Sequence, residues 1–253
     1  MKEVENKREK VVIVTGAAGG LGRSFALGFA RQGASVVIGD VNKTSAEETC
    51  TIIRQENGEA LAVKVDICDE QSVKEMVTVA LESFGRIDVL VNNAAIYSGI
   101  KRKPFYEISE SEWDRVLNVN LKGCWMCSKA VFPYMKEKGG RIINISSATV
   151  MSGSPEWSHY VASKAGVIGL TRTMARELGS FNINVNAVAP GFTLTEASLD
   201  LMENAKEYGI ARAAIKRPSS AEDIVGTVLF LASEGSAFIT GQTIVVDGGK
   251  QFI

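Results

Sequence analysis

Val11-Val12-Ile13-Val14-Thr15-Gly16-Ala17-Ala18-Gly19-Gly20-Leu21-Gly22 is the stretch on which the fold of this chain turns. Its first five residues form a short, continuous apolar run rich in β-branched side chains, the pattern of a strand buried on both faces. The glycines follow, and an apolar-periodic helix runs on from Arg23 to Gly33. A strand, a glycine-rich turn and a helix start make an anion cradle. Glycine lets the backbone approach a pyrophosphate, and free N–H groups at the helix N-terminus face the charge. A tight structural turn uses the same residues, so the cradle reading rests on the strand-turn-helix setting.

Working outward, the same alternation repeats. Ser35-Val-Val-Ile-Gly39 reads as the second strand and ends at Asp40, with Val41 next. An acid roughly 20 residues beyond the glycine turn suits the ribose hydroxyls of an adenine dinucleotide; it also suits a turn cap. Ala60 to Val65 is the third strand, closing at Asp66-Ile67, where an adenine edge would lie. Ile87 to Val91 is the fourth, followed by Asn92-Asn93-Ala94-Ala95, small residues that let a ligand pass close; Asn92 is expected to brace neighbouring strands. Arg141 to Ile145 is the fifth and runs into Ser146-Ser147. Asn184 to Ala189 is the sixth, leading to Pro190-Gly191-Phe192-Thr193-Leu194-Thr195, and Thr243 to Val246 is the last.

Between strands, Thr44/Glu47, Ser109/Glu112 and Ser219/Glu222 have capping-box spacing, and Asp69 caps a helix reaching Phe84. The predicted architecture is α/β, a doubly wound parallel sheet in a single domain over 1–253. Residues 1–10 read as a frayed tail and 192–217 as a lid over the substrate, its small and polar content concentrated from Leu199 to Arg217.

Composition narrows the function classes. Of 253 residues, 45% are hydrophobic and 23% charged, and the net charge of −1 offers nothing to a polyanion such as nucleic acid. The charged N-terminus lacks the apolar core of a signal peptide. No run reaches the ~18 apolar residues of a membrane span. Cytoplasm is the default location. The four cysteines make no disulfide framework, and Cys124-x-x-Cys127 lies in an apolar helical run, so no metal site is expected.

Chemistry concentrates in Ser158-His159-Tyr160-Val161-Ala162-Ser163-Lys164. Tyr160 and Lys164, four apart, share one helix face. A tyrosine hydroxyl titrates near 10, too high for a base at neutral pH. An ammonium about 4 Å away stabilises the phenolate by roughly 4 kcal/mol at an effective dielectric of 20, enough to bring Tyr160 towards neutrality. His159 faces away from its neighbour and is expected at the helix surface or the pocket rim.

Taken together, these segments resemble the short-chain dehydrogenase/reductase family, in its compact single-domain form, over nearly the whole chain from Val11 to Gly249. Thr15-Gly16-x-x-x-Gly20-x-Gly22 is similar to its cofactor motif. Asn92-Asn93-Ala94-Ala95 is similar to its Asn-Asn-Ala-Gly, with Ala95 at the usual glycine. Asn120, Ser147, Tyr160 and Lys164 fall where the family places its catalytic residues, and Pro190-Gly191 and Thr195 match the nicotinamide-side motif. The resemblance implies a Rossmann-like seven-stranded sheet in the order 3-2-1-4-5-6-7 and, commonly, a homotetramer, for which the hydrophobic stretch from Phe238 to Ile253 is a candidate interface.

It also implies an NAD cofactor held by Gly16, Gly19, Gly20, Leu21, Gly22, Asp40, Val41, Asp66, Ile67, Asn93, Ala94, Ala95, Tyr160, Lys164, Pro190, Gly191, Thr193 and Thr195. Tyr160 moves the substrate proton and Lys164 lowers its pKa. Ser147 hydrogen-bonds the reacting oxygen, and Asn120 holds a relay water.

Three functions compete. The first is an NAD-dependent dehydrogenase for a small or medium apolar secondary alcohol. Its pocket would be Ile96, Tyr97, Ser147, Thr149, Met151, Trp157 and Phe192, among which no Arg or Lys is evident for a charged substrate. The second is a 3-oxoacyl-(acyl-carrier-protein) reductase. Those reductases usually use NADPH, which Asp40 weighs against, while Lys129 and Arg172 could contact a carrier protein. The third is a non-catalytic NAD-binding protein.

Overall fold

A computed structural model of the chain describes residues 10–199, 204–205 and 207–252. Its strands are β1 (Val11–Thr15), β2 (Ser35–Asp40), β3 (Glu59–Lys64), β4 (Val89–Asn92), β5 (Gly140–Ile145), β6 (Ile183–Pro190), β7 (Thr193–Leu194), β8 (Ser219–Ser220) and β9 (Thr243–Val246). The helices are α1 (Gly20–Arg31), α2 (Lys43–Gln55), α3 (Glu70–Phe84), α4 (Glu110–Leu117), α5 (Gly123–Met135), α6 (Thr149–Ser152), α7 (Ser158–Leu178), α8 (Glu196–Leu199) and α9 (Glu222–Leu231).

Seven strands pair in parallel in the order β3-β2-β1-β4-β5-β6-β9. The expected order holds, with β9 as the seventh member because the short β7 and β8 pair only with each other. The apolar runs explain the layering. Every residue of β1 is buried, since helices cover both faces of a parallel sheet. Val12, Val14, Phe25 and Ile38 belong to the core on one face; Ile13, Val37, Met76 and Leu90 belong to the core on the other.

β1 bonds to β2 on one side and β4 on the other. The chain winds away in both directions from that pair, and the opening beyond their C-terminal ends is where an open α/β sheet binds its ligand. Thr15 staples the two strand ends. Its hydroxyl accepts from the Asn93 and Ala94 amides at 3.1 and 3.2 Å and donates to the Val91 carbonyl at 3.3 Å.

Several local expectations shift. α1 begins at Gly20, so the glycine turn itself supplies the first helical turn. α2 is capped by Asn42, whose side chain accepts from the Ser45 amide at 3.2 Å, leaving Thr44 inside the helix. Ser219 is drawn into β8, and Asp223 in the first turn of α9 accepts from the Ser220 amide at 2.9 Å instead. Ser109 and Asp69 do cap α4 and α3. The tail expected over 1–10 lies outside the described residues except for Lys10, whose Nζ is anchored on the Ala232 carbonyl at 2.9 Å.

Candidate active site

The glycine turn is shaped by close approach. Gly16 has φ +65°, and a Cβ there would stand 2.6 Å from the Ala94 Cα. At Gly22 a Cβ would collide with the Gly16 carbonyl oxygen and come 2.5 Å from Asn93 Nδ2. Only glycine fits either place. The gain is a bare backbone cradle at the N-terminus of α1. Asn93 Nδ2 holds the cradle from below by donating to the carbonyls of Thr15 and Gly16 at 3.0 and 2.9 Å.

Asp40 is a turn cap in the structure. Its Oδ2 accepts from the Ala18 amide at 3.0 Å and its Oδ1 from the Asn42 amide at 2.9 Å, so it caps both turns. It also lines the cleft beside the glycine turn. Arg23, a possible partner for a ribose phosphate, is engaged elsewhere: it donates to the Ala18 carbonyl, to Thr49 Oγ1 at 3.0 Å, and pairs with Glu48 at 3.6 Å.

A buried polar chain supports the floor. Asn92 Nδ2 donates to Asn144 Oδ1 at 2.8 Å and to Ser128 Oγ at 3.0 Å, and Asn144 Nδ2 donates to Thr171 Oγ1 at 2.9 Å. Asn92 thus braces β4, β5, α5 and α7 as expected. Asn120 sits in a wide helical turn over Asn118–Lys122 with the hydrogen-bond spacing of a π-helix, a form frequent at functional sites. Fully buried, it accepts from the Ile96 amide at 2.7 Å and donates to the Ile96 carbonyl and Ser163 Oγ, both at 3.2 Å. Its side chain thus holds the Ile96 loop against α7.

Ser147, Tyr160 and Lys164 converge where β5 ends against α7. Ser146 Oγ donates to the Lys164 carbonyl at 2.8 Å, and Lys164 Nζ to the Ile145 carbonyl at 2.8 Å, which clamps strand to helix. Thr149 Oγ1 donates to Ser147 Oγ at 2.9 Å, leaving the serine proton free for a group in the cleft. The pKa expectation is overturned. Burial pushes the Tyr160 phenol upward, nearby Tyr97 adds to this, and only Ser147 acts the other way. Lys164 is brought down to about 8 by burial. Burial is the physical reason, and Lys164, whose Nζ reaches for the Ile145 carbonyl and stands 5.9 Å from the tyrosine ring centre, does not offset it.

The cleft holds about 330 Å³. It runs from the glycine turn past Ala94, Ala95, Pro190, Gly191, Thr193 and Thr195 to Ser147, Tyr160 and Lys164. Tyr97, Thr149, Trp157 and Phe192 line its outer part as expected. Tyr97, Trp157 and Tyr160 pack as an aromatic trio with centroids 4.9 to 5.8 Å apart. Four groups of the sequence reading are not on its wall. Ile96 packs into the small core of Ile100, Val116, Trp157 and Tyr160, and Met151 lies beyond the wall. Val41 is exposed, Asp66 accepts from the Cys68 amide beyond the end of β3, and the buried Ile67 fills the space over Gly123.

Other lining residues were not anticipated, among them Arg102, Tyr208, Lys250 and Gln251. The basic run Lys101-Arg102-Lys103 was a visible signal for the first; Lys250 and Gln251 reach the cleft only through tertiary folding. His159 is a further correction. It is fully buried, with Nε2 3.5 Å from Glu112 Oε1, because α4 packs over that face of α7. Glu112 is also paired with Lys103 at 2.6 Å.

Comparisons with known proteins agree with this geometry. A family model described as "Enoyl-(Acyl carrier protein) reductase" matches residues 16–251. The chain is 43% identical to the 3-oxoacyl-(acyl-carrier-protein) reductase FabG of Thermotoga maritima, covering 95% of this chain and 97% of that protein. It is 40% identical to BbsD of Thauera aromatica, a subunit of a hydroxy(phenyl)methylsuccinyl-CoA dehydrogenase, covering 96% and 97%. The crystal structure of a putative short-chain alcohol dehydrogenase from Sinorhizobium meliloti superposes with a TM-score of 0.88 at 34% identity, covering 95% and 96%. With its sheet order, glycine cradle and Ser147/Tyr160/Lys164 cluster, this chain belongs to the short-chain dehydrogenase/reductase family.

Proposed function

We propose that the protein interconverts a 3-oxoacyl thioester and its 3-hydroxyacyl form, using NAD(H). The observation that carries the reading is the wall of the cleft. The preference for a small apolar alcohol stood on a pocket without cations, and Arg102 and Lys250 both line it. Full-length relatives whose names specify acyl-carrier-protein or CoA substrates support the same choice.

The residues present fit the cofactor. Gly16 and Gly22 leave a bare backbone turn for the pyrophosphate, Asp40 lines the cleft beside that turn with a carboxylate suited to ribose hydroxyls, and Arg23 is already engaged. When bound, the nicotinamide supplies the hydride. The chain orients the carbonyl and manages one proton. Ser147, its own oxygen satisfied by Thr149, donates to the substrate oxygen and stabilises its developing charge. Tyr160, held protonated by burial, gives that oxygen its proton, a role that suits reduction. Lys164 holds the end of β5 and a ribose hydroxyl, and Asn120 positions α7 through Ser163.

The remaining assignments are proposals of the same kind. The segment 192–217 closes over the substrate, its residues 200–203 and 206 lying outside the described ones. The exposed Phe238 and Phe252 favour a homotetramer built on the C-terminal stretch. Among the described residues no helix is long and apolar enough to cross a membrane, and a cytoplasmic location is proposed. Lys129 is a poor carrier-protein contact, since it pairs with Glu70 at 3.3 Å and covers Trp125.

The deciding measurement is kcat/KM for acetoacetyl thioesters and for simple apolar ketones, each with NADH and NADPH. The thioester with NADH should lead by more than about tenfold. A leading apolar ketone would restore the alcohol dehydrogenase reading.

A further inference from the structure

Arg102 and Lys250 approach the cleft from segments far apart in sequence. The Arg102 guanidinium lies 4.5 Å over the Trp157 ring, whose centre is 4.9 Å from that of Tyr160. Its hydrogen bonds go to neutral acceptors, the Pro155 carbonyl at 3.3 Å and Ser154 Oγ at 3.5 Å. These bonds and the indole orient the fork without neutralising its charge, and a guanidinium has five N–H donors to share. Lys250 Nζ stands 5.3 Å from the Tyr208 ring, and Tyr208 in turn packs on Phe192 at 4.8 Å. Among the described residues neither cation is in a salt bridge. By contrast, the neighbouring Lys103 is tied to Glu112. The substrate end of the cleft thus has two aromatic supports, each carrying a cation.

From this arrangement, and resting on the thioester reading above, we propose that the acyl chain of the substrate ends in a carboxylate received by Arg102, with Lys250 adding to the field. Position selects the acyl end. One indole separates Arg102 from Tyr160, so the anion must lie a few bonds from the reacting carbonyl. The phosphate of a pantetheine arm is at the far end of a long chain and is out of reach of that position. A forked carboxylate contact with a guanidinium held on an aromatic face is a charge-assisted pair of the stronger kind.

The test compares N-acetylcysteamine thioesters, which lack any phosphate, of 3-oxobutanoate and of 3-oxohexanedioate, with NADH as reductant. A hydrogen bond to a charged group contributes about 1.5–3 kcal/mol, so the parent should favour the dicarboxylate by roughly ten- to a hundredfold in kcat/KM. Arg102→Gln should bring the ratio of the two near one, Lys250→Gln should reduce it in part, and Lys101→Gln, on the exposed neighbour, should leave it unchanged. NADH titration of each variant confirms that the cofactor site has folded.

Equal use of both thioesters by the parent would overturn the proposal, as would an Arg102→Gln ratio equal to the parent's. An equal drop with Lys101→Gln would reduce it to diffuse charge and overturn it too. A third arm uses 3-oxobutanoyl-CoA. If its CoA arm alone brings the full gain and Arg102→Gln removes it, the phosphate is the partner and the acyl carboxylate is not. Turnover of simple ketones with none of either short thioester would overturn the underlying thioester reading, a result distinct from a lost preference.

Discussion

The two halves of the cleft are built on different terms. On the cofactor side, around β1, β4 and the start of α1, the backbone itself is the binding surface, and polar side chains are fixed by it: Thr15 on two amides, Asn93 on two carbonyls, Asp40 on two amides. On the substrate side the surface is side chain. Tyr97, Trp157, Phe192 and Tyr208 come from four separate segments, and two cations rest on them. The first surface tolerates few residue types and the second tolerates many. A conserved reaction with exchangeable substrates is what such a division produces.

The largest effect should come from Tyr160, where the two halves meet. Tyr160→Phe removes the proton donor and leaves the ring and its packing in place. General acid–base groups contribute about 10²–10⁴-fold, and kcat should fall by that factor while NADH binding, read by fluorescence titration, stays. A loss within about threefold would mean that the proton travels by another route.

Lys164 comes next, as a cost the fold bears for the site. Its pKa falls from 10.5 to about 8 on folding because burial disfavours the ammonium. Between those values the unfolded chain binds more protons than the folded one, so stability rises with pH across the window and is lowest, for this group, below about 8. At 1.36 kcal/mol per pH unit the whole difference is about 3 kcal/mol. Urea unfolding of the parent and of Lys164→Met at pH 7.5 and 10 should show the parent gaining on the variant. A gap that does not change with pH would put the lysine titration outside this range.

Asp40 sharpens the cofactor side. A phosphate charge about 5 Å from its carboxylate would cost roughly 3 kcal/mol at an effective dielectric of 20. The parent should prefer NADH over NADPH by more than about tenfold in kcat/KM. Asp40→Asn keeps one side-chain acceptor for the two turn amides and removes the charge, so the preference should shrink sharply. An unchanged ratio would leave Asp40 as a turn cap alone.

What was legible in the sequence follows the same division. The strand at Val11–Thr15 and the glycine turn could be read because each residue type answers a backbone need that few others meet, while the sheet order and the meeting of Ser147, Tyr160 and Lys164 came through the family resemblance. His159 was misplaced because its neighbour on α4 is set by tertiary packing, and Asn42 displaced Thr44 as cap because several residues there can accept the same amide. Arg102 and Lys250 escaped for a similar reason: a lysine or arginine in a loop carries no local pattern that distinguishes the cleft from solvent.

The wide turn at Asn118–Lys122 has a bearing on how this site could be lost in descent. It holds one residue more than an α-helical turn, and that surplus aims Asn120 at Ile96 and Ser163. Removing a single codon here would let the helix close into regular bonding, with nothing left unpaired along its axis. The helix on either side would keep its facing, since the wide turn is what absorbs the surplus residue, and the change would fall on the residues of the turn itself. Leu121, now seated against Gly166, would leave its place. Such a lineage would keep a foldable helix and a full set of recognisable residues while its Asn120 pointed elsewhere, and an inventory of motif residues would count it as intact.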